Sequence, residues 1–274
     1  MSRAAYSARV PGGITLRQRV QFTVTRWITR VLKALGLREV AIRVRYALAR
    51  ARRRVFEEYG SARYSRPALY GMDRELDAII DRDGGFFVEA GGHDGYTQSN
   101  TYYLERFRGW RGVLVEPMPE MAAEARRNRP GARVFQNALA PPDVDGQQIE
   151  MEFGDLFTTV RGSRAEDDSW VQEGLVLGWR DHRVEQVLAR TLSSLLDEAG
   201  VADVDLLSLD VEGYEDQALR GLDLSRHAPA WILVEMHDLE TGRAKIGAVL
   251  GKRYVEQARL SPLDVLYRRV DKSR

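Results

Sequence analysis

Two acidic residues and three glycines follow directly on a short apolar run, Phe86-Phe87-Val88. The segment reads Glu89-Ala90-Gly91-Gly92-His93-Asp94-Gly95, and Ser99 and Asn100 come soon after it. Glycines at a strand-to-helix turn let the backbone approach a ligand closely, and the following helix presents free N–H groups with a partial positive charge. The spacing matches neither the Gly-x-Gly-x-x-Gly fingerprint of a dinucleotide enzyme nor a P-loop. The turn therefore predicts a mononucleotide-like ligand, with an ordinary structural turn as the alternative.

A third carboxylate, Glu116, ends the next apolar run, Val113-Leu114-Val115. A carboxylate at the end of a second strand can accept hydrogen bonds from both hydroxyls of a ribose. Acids at both Asp94 and Glu116 disfavour a pyrophosphate, whose charge is negative, and favour a cationic or neutral nucleoside. S-adenosylmethionine is a sulfonium and meets that requirement, so we predict it as the cofactor.

A second group of acids lies further along the chain, after two more apolar runs. The family resemblance described below implies methyl transfer to an alcohol, which requires alignment of the reactants and removal of the hydroxyl proton. We predict His237 as the general base, because its unperturbed pKa of about 6.5 suits proton abstraction near neutral pH. Asp210 and Glu212 are predicted as further catalytic residues.

The same acids offer oxygen ligands for Mg²⁺, which would lower the pKa of the acceptor hydroxyl. The candidate metal ligands are Asp210, Glu212, Glu235 and Asp238. Roles as helix caps or ion-pair partners are the structural alternative for all four.

Short apolar runs alternate with charged helical stretches from Phe86 onward, which predicts βαβ units and a parallel sheet. The predicted strands cover 86–88, 112–115, 133–135, 205–209 and 231–234, and the predicted helices cover 97–108, 118–128, 192–200 and 214–221. Ser261-Pro262 lies between two strand-like segments and predicts a β-hairpin. Ligands of open α/β sheets bind outside the carboxyl ends of the strands, where the candidate residues fall.

Residues 155–190 have the least regular pattern of the second half of the chain. They carry Trp170, Trp179, Asp167, Asp168, Asp181 and His182. Aromatic faces flanked by carboxylates suit sugar rings, so this insertion is a candidate for acceptor contacts. A lid helix with core tryptophans is the alternative.

The chain is strongly asymmetric in charge, although its formal net charge is only +1. Residues 1–54 contain fourteen Lys and Arg and the single acid Glu39. Residues 14–35 show an apolar stripe at helical spacing opposite a basic face, and 38–59 is also helix-like. This pattern favours a helix in a membrane interface, with packing on the body or on a partner as the alternative. Few aromatic side chains are present for base stacking, which makes nucleic acid a weaker candidate.

Composition sets the remaining limits. A 44% hydrophobic content supports a substantial core, and the absence of cysteine excludes disulfides, a cysteine nucleophile and cysteine-based metal sites. We find no apolar run of membrane-spanning length and no signal-peptide core. We therefore expect a cytoplasmic protein, peripheral on the inner face of the membrane, with a basic amphipathic arm over 1–65 and a catalytic domain over 66–274.

Several ordered motifs together resemble the FkbM family of S-adenosylmethionine-dependent methyltransferases. They are Phe87–Asn100, Gly109–Pro117, Asn137-Ala138, Thr191-Leu192, Leu207–Glu215 and Trp231–Glu235. The resemblance implies a class I, Rossmann-like methyltransferase sheet with helices on both faces, to which this chain adds a basic, helical N-terminal arm. It also implies methyl transfer, most often to a hydroxyl of a sugar or a polyketide-type product. An RNA methyltransferase and a non-catalytic, membrane-associated binding module are the alternatives.

The resemblance also assigns cofactor contacts. Glu89, Gly91, Asp94 and Gly95 would form the turn beside the methionine moiety, and Ser99 and Asn100 would cap or line it. Glu116 would hold the ribose, and Asn137 would meet the adenine. His93 departs from the family pattern, which usually has a small or amide residue there.

Overall fold

The computed structural model describes residues 38–153, 158–163 and 183–270, with side chains from Leu48 onward. The chain divides into two compact units between Tyr64 and Ser65. In the first unit, helix α1 (Arg38–Glu58) confirms the helix predicted over 38–59. The stripe at 14–35, Trp170 and Trp179 lie outside the described residues. None of the described helices combines the length and apolar composition needed to span a bilayer.

The second unit is built on a seven-stranded sheet in the order β10-β11-β9-β8-β1-β2-β3. Its strands are β1 (Phe86–Ala90), β2 (Arg111–Val115), β3 (Ala132–Phe135), β8 (Leu206–Leu209), β9 (Trp231–Glu235), β10 (Tyr254–Arg259) and β11 (Asp264–Arg269). Within this order the five strands β9, β8, β1, β2 and β3 pair in parallel. Strand β11 is antiparallel to both β9 and β10. The predicted parallel sheet and the hairpin at Ser261-Pro262 are both confirmed.

Helices cover both faces of this sheet. They are α2 (Met72–Ile80), α3 (Tyr102–Phe107), α4 (Pro119–Asn128), α5 (Leu192–Ala199), α6 (Glu215–Arg220) and α7 (Leu239–Leu250). Alternate residues of a strand point to opposite faces. Phe87 thus packs in one core with side chains of α2, α3 and α4, whereas Val88 packs in a second core with α5, α6 and α7. The predicted class I, Rossmann-like arrangement is confirmed.

Helix α3 begins five residues later than the sequence pattern predicted. Residues 96–101 form a turn instead, because their N–H groups donate to carboxylates of the preceding segment: Thr97 donates to Asp94, and Asn100 donates to Glu89. Side-chain acceptors of this kind compete with helix formation.

A second, four-stranded sheet has the order β4-β7-β5-β6. Its strands are β4 (Ala138–Leu139), β5 (Gln148–Phe153), β6 (Thr159–Val160) and β7 (Arg183–Arg190). The sequence reading of 155–190 as one irregular insertion is wrong for β6 and β7. Strand β7 buries only Val187 and Ala189, whereas Val184 and Leu188 lie exposed on its other face, so its apolar residues give no clear alternating pattern in the sequence.

Candidate active site

The strand order changes direction at β1, which lies between β2 and β8. The chain first adds β2 and β3 on one side of β1 and later adds β8 and β9 on the other side. Ligands of open α/β sheets bind at such a switch point, outside the carboxyl ends of the strands. Gly91 follows β1 and Asp210 follows β8 at this place. Gly91 has a φ of +79°, and a Cβ atom on it would lie 1.8 Å from the carbonyl oxygen of Asp210. Only glycine fits this close approach.

Glu89, Ser99 and Asn100 are brought together, but their polar groups bind one another. The buried Glu89 carboxylate accepts hydrogen bonds from the Asn100 N–H at 2.7 Å, the Ser99 hydroxyl at 2.8 Å and the Thr101 hydroxyl at 2.7 Å. The Asn100 side-chain amide donates to the Ser208 hydroxyl. These buried hydrogen bonds therefore hold the backbone of the turn in place.

Arg129 completes this support and was missed by the sequence reading. Its side chain is 1% exposed, and its guanidinium contacts Glu89 at 3.2 Å and Glu105 at 2.5 Å. It also donates to the carbonyl of Gly95 and to the hydroxyl of Thr101. The ion pairs offset the cost of burying its charge. A single arginine after a helix gave no signal in the sequence, because its partners lie 24 to 40 residues earlier in the chain.

Asp94 and Gly95 form the outer part of the turn. The Asp94 carboxylate accepts hydrogen bonds from the N–H groups of Tyr96 and Thr97. Burial raises its pKa, but the hydrogen bond and charge of His93 and these two N–H groups outweigh burial and hold the pKa below its usual range. Asp94 is therefore ionised at neutral pH. Gly95 has a φ of +76° and packs against Arg129.

Glu116 lies directly beside this turn, at the end of β2. One carboxylate oxygen accepts from the His93 N–H at 2.8 Å and the other from the Met118 N–H at 2.9 Å. Burial raises the pKa of this carboxyl, against the opposing charge of His93. Asn137 follows β3, and its side-chain amide donates to the carbonyl of Leu188 in the second sheet.

A cluster of acids surrounds His237 at the same sheet edge. The His237 Nε2 atom lies 3.2 Å from a carboxylate oxygen of Glu212 and 3.7 Å from one of Glu235. Glu212 has a φ of +58°, which is uncommon for a residue with a side chain. The Thr159 hydroxyl of β6 donates to the Glu212 carbonyl at 2.9 Å. The second sheet thus contacts the loop that carries the carboxylate nearest to His237.

Asp210 and Glu235 share a hydrogen bond between their carboxyl groups. Burial, and then the charges of Glu235 and Glu212, raise the pKa of Asp210 well above its usual range. Burial and the charge of Glu212 raise the pKa of Glu235 to about 7. Two partly buried carboxyls so close cannot both ionise easily, so the pair retains a proton near neutral pH.

The structure regroups the predicted metal ligands. Within the described residues, two sets place one ligand atom from each member within 4.8 Å of the others: Glu212, Glu235 and His237, and Asp210, Glu215 and Glu235. Asp238 belongs to neither set. Its carboxylate accepts from the N–H groups of Glu240 and Thr241 and caps α7. The predicted set of four acids is therefore not assembled, and Glu215, which was not predicted as a ligand, belongs to the second set.

The family model of the FkbM methyltransferase domain matches residues 89–259, more than half of the chain. The chain belongs to the FkbM methyltransferase family. The sequence resemblance is thereby confirmed, and the protein is an S-adenosylmethionine-dependent methyltransferase. No curated protein matches the chain significantly.

The solved structures that the chain matches include other methyltransferases. A TehB-like S-adenosylmethionine-dependent methyltransferase from Corynebacterium glutamicum is 14% identical, with a TM-score of 0.42 over 82% of this chain and 99% of that one. An S-adenosylmethionine-dependent methyltransferase from Aquifex aeolicus is 11% identical, with a TM-score of 0.41 over 74% of this chain and 92% of that one.

The residues of this FkbM-family site fit S-adenosylmethionine. The close approach of Gly91 to Asp210 requires a residue without a side chain at the switch point, which is where ligands of such sheets bind. Glu116 offers carboxylate oxygens to ribose hydroxyls. The ionised Asp94 suits a sulfonium and opposes a pyrophosphate, in agreement with the methyl donor of the family.

Proposed function

We propose that the protein transfers the methyl group of S-adenosylmethionine to a hydroxyl oxygen of a sugar, glycolipid or glycosylated metabolite. The observation that carries the proposal is the pair of His237 and Glu212, 3.2 Å apart at the carboxyl edge that also bears the Gly91 turn. An imidazole with a carboxylate partner is a general base suited to an alcohol, which does not lose its proton unaided near neutral pH.

Each residue of the site would have a separate role in the proposed methyl transfer. S-adenosylmethionine supplies an electrophilic methyl group when bound. His237 accepts the proton of the acceptor hydroxyl, and Glu212 orients the ring and stabilises the imidazolium that forms. Asp210 and Glu235, which retain a proton between them, limit the negative charge beside the ring.

A divalent cation is the alternative to this general-base role that we propose for test, because an ion bound by His237 and Glu235 requires both groups to be free of protons. Glu212, Glu235 and His237 offer one ligand atom each within 4.8 Å, and such an ion would lower the pKa of a bound hydroxyl. A histidine among the ligands suits Mn²⁺ or Zn²⁺ better than Mg²⁺, which prefers oxygen ligands. Dialysis against EDTA followed by an activity assay decides the point, because full retention of activity removes the metal.

The acceptor class is tested with methyl-labelled cofactor in cell extract. The label should enter glycan, glycolipid or glycosylated small molecules with the parent protein and should not do so with His237→Ala. Label in RNA would support the alternative RNA methyltransferase. Absence of any label despite cofactor binding would support a non-catalytic binding module.

A further inference from the structure

Helix α1 exposes a line of large apolar side chains. Leu48 is 63% exposed and Val55 is 49% exposed, and Tyr59, directly after the helix, is 86% exposed. Leu48 and Val55 are two helical turns apart and therefore lie on one face of α1, and Tyr59 follows directly after the end of the helix. Aligned apolar side chains in solvent indicate an interaction surface rather than isolated surface residues. We call these three residues the α1 stripe.

The surroundings of the α1 stripe are basic. Helix α1 contains seven arginines and three glutamates, and Arg54 is exposed between Leu48 and Tyr59 in the chain. The chain up to Arg54 has fourteen basic residues and one acid. A partner of complementary charge for this surface is therefore anionic.

Lipid and nucleic acid are both anionic, and the α1 stripe distinguishes them. Surfaces that bind single-stranded nucleic acid combine cations with aromatic rings on which bases stack. Two of the three side chains of the α1 stripe are aliphatic and cannot stack on bases. A bilayer interface accepts apolar side chains among its acyl chains and arginines among its headgroups at the same time. The sequence of 14–35 has the same combination of an apolar stripe and a basic face.

We infer that α1 docks on an anionic lipid bilayer, with Leu48, Val55 and Tyr59 entering the interface and the exposed Arg54 contacting lipid phosphates. Docking would hold the methyltransferase at a membrane surface, where a glycolipid acceptor is concentrated. This docking involves no residue of the second unit and does not depend on which acceptor is methylated.

Vesicle sedimentation of the full chain tests this inference. The vesicles contain phosphatidylcholine alone or phosphatidylcholine with phosphatidylglycerol. We expect the parent to bind the anionic vesicles only, and Leu48→Glu with Val55→Glu to weaken that binding by about tenfold or more. The matched control is Val255→Glu, at a residue of β10 that is 43% exposed, and it should bind as the parent does.

Calorimetry with S-adenosylmethionine verifies that each variant is folded. Tyr59→Glu lies beyond the helix end and tests the same stripe without altering α1. The inference is overturned by a parent that ignores anionic vesicles, by stripe variants that sediment like the parent, or by a parent that binds single-stranded RNA in preference to anionic lipid.

Discussion

The Nε2 atom of His237 lies 3.2 Å from a carboxylate oxygen of Glu212. Glu212 presents that oxygen from a backbone with a φ of +58°, and Thr159 of the second sheet donates a hydrogen bond to its carbonyl. Such a conformation costs on the order of 1 kcal/mol or more and persists only when neighbouring contacts hold it. The small sheet therefore positions the partner of the proposed base.

Thr159→Val tests this positioning role. The variant keeps the shape of the side chain but loses the donor, so Glu212 is held less firmly and kcat should fall about tenfold. The KM for S-adenosylmethionine should not change, because Thr159 does not belong to the cofactor turn. Thr159→Ser keeps the hydroxyl and should recover most of the activity. Equal kcat values for the valine variant and the parent would remove Thr159 from the account.

Glu116→Ala tests the cofactor site. The carboxylate is proposed to accept the ribose hydroxyls, and loss of charged hydrogen bonds of about 1.5–3 kcal/mol each should weaken cofactor binding by tenfold to a hundredfold or more. Isothermal titration calorimetry with S-adenosylmethionine gives the affinity. Glu120→Ala, at an exposed acid on α4, is the control and should bind normally. Undiminished binding by Glu116→Ala would contradict the assignment.

Gly91→Ala tests the close approach at the switch point. Gly91 and Gly109 both have positive φ values, of +79° and +66°, but only Gly91 faces a backbone atom at 1.8 Å from an added Cβ. We expect Gly109→Ala to lower the free energy of unfolding by about 1–2 kcal/mol. Gly91→Ala should lower it by more than about 4 kcal/mol or prevent folding. Similar urea midpoints for the two variants would show that the approach is looser than described.

Glu235 predicts a pH dependence of stability. Its carboxyl pKa is raised from 4.5 to about 7, so the folded chain holds this proton more tightly than the unfolded chain does. The resulting stabilisation is complete below pH 4.5 and is lost as the pH rises through about 7. The free energy of unfolding should therefore fall across that window by on the order of 2 kcal/mol. Urea titrations of Glu235→Gln should show a flatter profile, and an unchanged slope would assign the effect to other groups.

The main sheet could be predicted because its signals are local. Phe86, Val113 and Trp231 each open a short apolar run bounded by charged helices, and alternate residues of such a run pack on opposite faces. The position of Glu116, Asp210 and Glu235 at the sheet edge could be predicted for the same reason, since each directly follows the last apolar residue of a run.

The second sheet and the buried support of the turn were missed because their causes are distant in sequence. Strand β7 pairs with β5 across thirty to forty residues, and its apolar residues do not alternate regularly with polar ones. Arg129 is fixed by Glu89 and Glu105, which only the fold brings to it. Asp238 was misassigned because a carboxylate before a helix has the same sequence signature whether it caps the helix or binds a ligand.

The position of the transferred methyl group tests the central proposal most directly. The protein would be incubated with S-adenosylmethionine labelled with ¹³C at the methyl group and the acceptor fraction, and the product examined by carbon–proton NMR. We expect the parent to form a labelled methyl ether on a sugar hydroxyl, and we expect this product to be lost with His237→Ala. A label on nitrogen, on carbon or on RNA, or an undiminished rate with His237→Ala, would contradict it.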